Sequence, residues 1–215
     1  MTGIKEEIKK TWNWLWNSDS ILSYIALLIV LFIVIKFIFL PGLGLVLGSK
    51  LPLAIVESSS MDHHALDEGS GSNLLCGTAF PEARGFNFEE YWVECGGWYE
   101  TRNISKEQFK EFRFKNGFRK GDIMLMWGWK KVEIGDVIVY NAGRSNPIIH
   151  RVISLDPLAT KGDHNSDQLT PKNNLFGTDE TNISSDQVIG TAVLRIPYLG
   201  WIKLFFVELF NGLSS

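Results

Sequence analysis

From Ile21 to Leu40 the chain is apolar at almost every position, interrupted only by Ser23, Tyr24 and Lys36. Roughly 20 helical residues rising about 1.5 Å each cross a hydrocarbon core of about 30 Å. The run therefore predicts a transmembrane helix over residues 20–40. Ser18, Asp19 and Ser20 supply N-cap oxygens just ahead of it, and Pro41-Gly42-Leu43-Gly44 reads as its end. A buried core helix would carry a polar stripe at helical spacing, and none recurs here. A cleaved leader would have a shorter apolar region nearer the amino terminus. Trp12, Trp14 and Trp16 precede the run as a candidate interfacial belt, and Lys36 can reach headgroups through its long stem. Lys5, Lys9 and Lys10 outweigh Lys50 on the far side. The cation bias puts residues 1–19 in the cytoplasm and everything after about residue 50 outside it.

Beyond the apolar run the pattern changes to strand. Leu51 to Val56 is a short apolar run that delivers Glu57 and then Ser58-Ser59-Ser60. Asp122 to Met126, Asp136 to Tyr140, Ile148 to Ile153 and Val188 to Arg195 are β-branched segments. Gly121-Asp122 and Gly135-Asp136 are turn signals ahead of two of them. Residues 62–118 break this pattern. They are polar and aromatic, start flexibly at Gly69-Ser70-Gly71-Ser72, and include a Ser105/Gln108 capping box for a helix to about Phe112. Residues 201–215 are rich in Phe and Leu but carry Lys203 and Glu208. They are too short to span a bilayer and predict an interfacial amphipathic segment. The expected fold class is mostly β: an antiparallel β domain over residues 41–200, with a mixed insertion at 62–118, behind one N-terminal transmembrane helix.

Composition narrows the function. A net charge of −3, with no basic stripe, excludes a nucleic-acid-binding surface. The two cysteines, Cys76 and Cys95, are too few for a disulfide-dense scaffold or a four-cysteine zinc site. Asp62, His63, His64 and His164 have metal-ligating chemistry, but their spacing matches no zinc template.

Four segments carry chemistry together: Ser58-Ser59-Ser60-Met61, Gly135-Asp136-Val137-Ile138, His150-Arg151-Val152-Ile153 and Lys161-Gly162-Asp163-His164-Asn165. In this order the chain resembles the type I signal peptidases, with Arg195-Ile196-Pro197-Tyr198-Leu199-Gly200 as a fitting end. The resemblance covers most of the chain from Pro41 on and leaves out 62–118. It implies a signal-peptidase-like β catalytic domain. One version of the family pairs its serine with lysine. The archaeal and endoplasmic-reticulum version has histidine followed by Arg-Val at that place, and His150-Arg151-Val152 resembles this second version.

The resemblance implies a membrane-bound serine endopeptidase that removes signal peptides from exported preproteins. Ser60 would be the nucleophile and His150 the general base. A serine hydroxyl needs a base near neutral pH, and imidazole titrates where it can take and return that proton. The acidic partner would come from the Lys-Gly-Asp box, as Asp163 or Asp167, with Asp167 favoured for the triad and Asp163 supporting. Oxyanion donors would be the Ser60 N–H and the Ser58 hydroxyl. Ser59 stands where the family usually has Gly, and His63 where it usually has Pro. Implied partners are secretory preproteins with small residues before the cleavage site, the lipid bilayer and the Sec translocon; no cofactor is implied. The competing expectations are a catalytically inactive binding subunit and a peptidase with a narrow substrate set.

On this topology Cys76 and Cys95 lie outside the cytoplasm, where a disulfide closing the insertion is expected, free thiols being the alternative. Asn103-Ile104-Ser105 and Asn182-Ile183-Ser184 are glycosylation sequons on the same side.

Overall fold

The structure, a computed structural model, describes residues 2–67, 69–144 and 146–205. It divides into a unit up to Val46 and a second from Leu47 onward.

The first unit opens with α1 (Thr2–Asn17), which was not expected as a helix. Ile4, Ile8, Trp12 and Trp16, four apart, line one face of it. Next comes α2 (Ile21–Val34), capped by Ser20, whose Oγ accepts from the Ser23 N–H at 3.2 Å. A π-helical turn (Ile35–Phe39) and α3 (Leu40–Leu47) continue it. Together they make a 27-residue helix, Ile21–Leu47, long and apolar enough to cross a membrane. The expected end at Pro41 is therefore corrected. A proline ring clashes with the carbonyl four residues back and offers no N–H. Here the Leu40 N–H bonds Ile35 O across the widened turn. Pro41 then falls in the first turn of α3, where a missing donor costs little. The stop comes at Gly48, whose φ of +62° is the left-handed conformation that ends helices.

In the second unit, six strands form one antiparallel sheet: β1 (Leu53–Ile55), β6 (Ile123–Trp127), β7 (Val137–Tyr140), β8 (Ile148–Leu155), β9 (Leu158–Lys161) and β10 (Val188–Ile196). Their spatial order is β1-β6-β10-β7-β8-β9. Every residue of β7 is buried, so both faces of the sheet are covered there. Successive side chains on a strand point to opposite faces, and opposed residues on paired strands share a face. The registers Ile138↔His150 and Val152↔Thr160 define one face, and Val137↔Arg151 and Arg151↔Lys161 the other. Ile138, Tyr140, Ile148, Val152 and Ile183 pack together on the first.

The insertion supplies β2 (His64–Ala65), β3 (Asn73–Leu75), β4 (Thr78–Phe80), β5 (Arg84–Gly85), α4 (Phe88–Glu100) and α5 (Lys106–Lys110). Ser105 caps α5 through the Gln108 N–H, as its capping box predicts. The longer α4 has its own capping box, in which Asn87 Oδ1 accepts from Glu90 N–H and Glu90 Oε2 from Asn87 N–H, both at 3.0 Å. Phe88, Tyr91, Trp92, Cys95, Tyr99 and Phe109 bury a second core against Ile153 and Ala159. Cys76 and Cys95 are disulfide-bonded. Residues 201–205 are helical, and the rest of the expected segment 201–215 lies outside the described residues.

Ile138 is fully buried at the centre of the sheet, opposite His150. Ile138→Ala should leave a cavity and lower unfolding free energy by about 2–5 kcal/mol, read by denaturant titration in detergent.

Candidate functional site

Ser60 follows β1 on a turn held at both ends. Val56 N–H donates to Asp122 O at 2.9 Å, Gly121 N–H donates to Val56 O at 2.8 Å, and Asp62 N–H closes back on Ser59 O at 2.8 Å. Met61, fully buried, anchors the turn in the core beneath the sheet. Ser60 O accepts the His164 N–H at 2.9 Å, which ties the serine turn to the Lys-Gly-Asp box. Ser58 Oγ and Ser60 Oγ share a hydrogen bond at 3.1 Å.

His150 sits on β8 with 3% of its surface exposed. A Cβ added to Gly162 would stand 2.8 Å from His150 Nε2, 2.8 Å from Ser60 O and 2.7 Å from Asn165 Nδ2. The imidazole edge and the serine turn thus converge on a glycine that no other residue could replace without moving one of them.

The other ring nitrogen, His150 Nδ1, is hydrogen bonded to Glu180 Oε1. Glu180 is fully buried. Its Oε1 also accepts from Tyr140 Oη at 3.2 Å and Thr160 Oγ1 at 3.0 Å, and its Oε2 accepts from the Leu169 N–H at 2.7 Å. Its main chain pairs on both sides, Glu180 N–H with Leu169 O at 2.8 Å and Thr160 N–H with Glu180 O at 2.9 Å. Burial works to raise the Glu180 carboxyl, but the neighbouring His150 and these donors outweigh it and hold the group below its ordinary value.

The two box aspartates are elsewhere. Asp163 is fully buried and accepts from Arg151 Nε at 2.8 Å, Arg151 Nη2 at 2.6 Å, Tyr99 Oη at 3.0 Å and His63 Nε2 at 3.2 Å. Burial opposes its charge, yet the Arg151 guanidinium holds it far below the usual carboxylate range. Burial lowers His63 against the pull of Asp163, to whose carboxylate its Nε2–H donates. Asp167 is largely exposed, accepts from Trp98 Nε1 at 2.9 Å and stands 3.7 Å from Arg102. The expectation that Asp163 or Asp167 holds His150 is corrected: Glu180 makes that bond. Arg151 follows His150 on one strand, so the two side chains take opposite faces. A carboxylate spent on Arg151 is on the wrong side for the imidazole. No motif in the sequence marks Glu180. Its only signal is that it is an acid in the strand-free stretch between β9 and β10.

Asn103 and Asn182, the sequon asparagines, are both exposed. His64 Nδ1 pairs with Asp62 Oδ1 at 2.5 Å. Among the described residues no group of three or more His, Cys, Asp or Glu is placed to hold a metal ion.

A serine on a braced turn, a buried imidazole at the same Gly162 junction and a carboxylate behind the imidazole are the kinds of group that acyl-transfer chemistry of the serine-peptidase class uses. No family model matches the chain. It is similar to the signal peptidase complex catalytic subunit SEC11 of Metarhizium acridum, 30% identical over 101 residues, 42% of this chain and 57% of that protein. The same subunit of Yarrowia lipolytica is 31% identical over 99 residues, 42% of this chain and 56% of that protein. That of Komagataella phaffii is 34% identical over 108 residues, 42% of this chain and 60% of that protein. The chain spans a little over half the length of the curated relatives it matches.

Lys161 is buried beside the box, with Nζ donating to Gly162 O at 2.9 Å and lying 4.9 Å from the Trp98 ring. Burial pushes its ammonium down to about 8. Between that value and the unfolded value of about 10.4 the unfolded chain keeps a proton that the folded chain has released. Stability should therefore rise with pH across this window. Lys161→Met should flatten the rise in melting temperatures measured from about pH 7.5 to 10.

Proposed function

We propose that this chain is a membrane-anchored serine endopeptidase that removes signal peptides from exported preproteins. Ser60 is the nucleophile, His150 the general base and Glu180 the carboxylate that orients it. The observation that carries the proposal is the buried His150, tied to Glu180 through Nδ1 with Nε2 facing the Gly162–Ser60 junction. The similarity to catalytic subunits of signal peptidase complexes supports the substrate class.

In the first step the Ser60 side chain turns from Ser58 towards His150, and Nε2 takes its proton as Oγ attacks the scissile carbonyl. Glu180 fixes the Nδ1–H tautomer, which leaves the Nε2 lone pair free, and stabilises the imidazolium that forms. The Ser60 N–H and the Ser58 hydroxyl donate to the developing oxyanion. His150 then returns the proton to the leaving amine, and water hydrolyses the acyl-enzyme by the same route in reverse. The substrate adds as an extended strand, with shallow pockets reading small residues before the cleavage site. The helix Ile21–Leu47 anchors the chain with its amino terminus in the cytoplasm and the β domain on the other side of an endoplasmic-reticulum or cell membrane, beside the Sec translocon.

Ser60→Ala should abolish cleavage of a preprotein by the purified chain in detergent, with melting unchanged. Ser58→Ala should retain residual turnover, because one oxyanion donor contributes about 2.7–4 kcal/mol. Full cleavage by Ser60→Ala rules the mechanism out.

Glu180→Gln should lower turnover by about 100-fold or more, since an amide no longer holds the imidazole in the tautomer that leaves Nε2 free. Asp167→Asn should cleave at a rate close to wild type. The reverse ranking of these two variants would return the acidic role to Asp167.

A further inference from the structure

The insertion does more than pack on the sheet. Tyr91, Cys95 and Tyr99 are four residues apart on α4 and so share one face of it. All three turn to the same short loop. Tyr91 Oη donates to Asp163 O at 2.9 Å and Tyr99 Oη to Asp163 Oδ1 at 3.0 Å. Cys95 is bonded to Cys76, whose N–H donates to His164 O at 2.9 Å and whose Sγ lies 3.3 Å from Asp163 O. His63, also in the insertion, stacks on Tyr91 with centroids 3.5 Å apart and donates to Asp163 Oδ2.

The gripped loop is the one that borders both the Ser60 main chain and the His150 ring. His164 N–H holds Ser60 O, and Gly162 is the residue against which His150 Nε2 stands. Within the core of the insertion Tyr91, Tyr99 and Phe109 are fully buried and Cys95 nearly so, so α4 cannot shift alone. The disulfide joins the two separate holds, the Cys76 turn and the α4 face, into one.

We propose that the insertion is a positioning element for catalysis: Tyr91 and Tyr99, locked together with the Cys76 turn by the Cys76–Cys95 bond, hold Gly162–Asn165 where Ser60 and His150 meet. The inference rests on the function proposed above. It makes the disulfide a condition for full turnover, met only in an oxidising compartment. A dithiol reductant breaks the S–S bond, Cys76 and Cys95 each gain one electron and one proton, and the dithiol closes to its own disulfide. The Cys76 turn is then free to leave His164. Misplacing reacting groups by about 1 Å can cost about 100-fold in rate, so loosening this loop is read in kcat rather than in substrate binding.

The test uses the full chain in detergent, oxidised and then reduced with dithiothreitol, with free thiols counted and melting followed on each sample. The expected result is a fall in kcat of about tenfold or more with KM within about twofold. The sheet should stay folded at the assay temperature, and reoxidation should restore turnover. Amide exchange at residues 163–164 should speed up on reduction. Full turnover with both thiols titrated overturns the proposal, as does a loss that merely follows the fraction unfolded. Should the reduced chain unfold, Tyr99→Phe in the oxidised protein decides: reduced kcat with faster exchange at 163–164 supports the grip, and wild-type values overturn it. If the oxidised chain cleaves no preprotein, the peptidase assignment has failed. Exchange alone then judges the insertion, and unchanged protection of the loop on reduction overturns it.

Discussion

The Arg151–Asp163 pair is the interaction on which the rest of the second unit depends. Both side chains are fully buried, and two guanidinium nitrogens meet the carboxylate in a bidentate pair. Two such charges taken out of water cost several kcal/mol each unless every remaining donor and acceptor is used. Here they are. Arg151 also donates to the carbonyls of Arg113, Phe114 and Gly135, and Asp163 also accepts from Tyr99 and His63. One ion pair thus ties together β8, the turn before β7, the end of the insertion and the Lys-Gly-Asp box. Its value to the protein lies in where it forces these segments to be, since a pair of this kind adds little net stability over a well-packed apolar substitute.

Strand alternation turns that constraint into a site. Arg151 and Lys161 take one face of the sheet with the insertion, and His150, Thr160 and Tyr140 take the other with Glu180. Neighbours in sequence are thereby divided between two tasks, one building and one chemical. The two faces meet at the loop after β9, where Asp163 belongs to the first face and Gly162 borders the imidazole of the second. A residue with any side chain at Gly162 would close that junction.

Much of this was legible in the residues alone. The apolar run from Ile21, the β-branched strands, the Ser60 turn and the His150 box are local signals whose period and turn chemistry survive into the fold. The parts that were not legible depend on contacts far apart in sequence. Pro41 looks like a helix end because the rule that proline breaks helices does not know of a π turn just before it. The α4 helix, with Gly96-Gly97 and many aromatics, has weak propensity and is held by its capping box and by burial against Ile153 and Ala159. Asp163 and Asp167 look like triad acids because they stand in the familiar box. Glu180 reaches His150 only because main-chain bonds to Leu169 and Thr160 fold its loop back along β9. Counting faces from His150 to Arg151 would have removed Asp163, but only once Arg151 was known to need a buried partner.

The length of the apolar helix has its own consequence. At about 1.5 Å per residue, the 27 residues of Ile21–Leu47 rise roughly 40 Å, against about 27 Å of hydrocarbon in an endoplasmic-reticulum bilayer. A span of this length would exceed that core. In a bilayer the excess would be taken up by tilt, by local thickening of the lipid, or by a bend. The π turn at Ile35–Phe39, with its lengthened ladder, is the point where a bend costs least. Hydrophobic mismatch of this size sorts proteins among membranes of different thickness. In a membrane, the proline that fails to end the helix would therefore help to set which bilayers accommodate the chain without distortion.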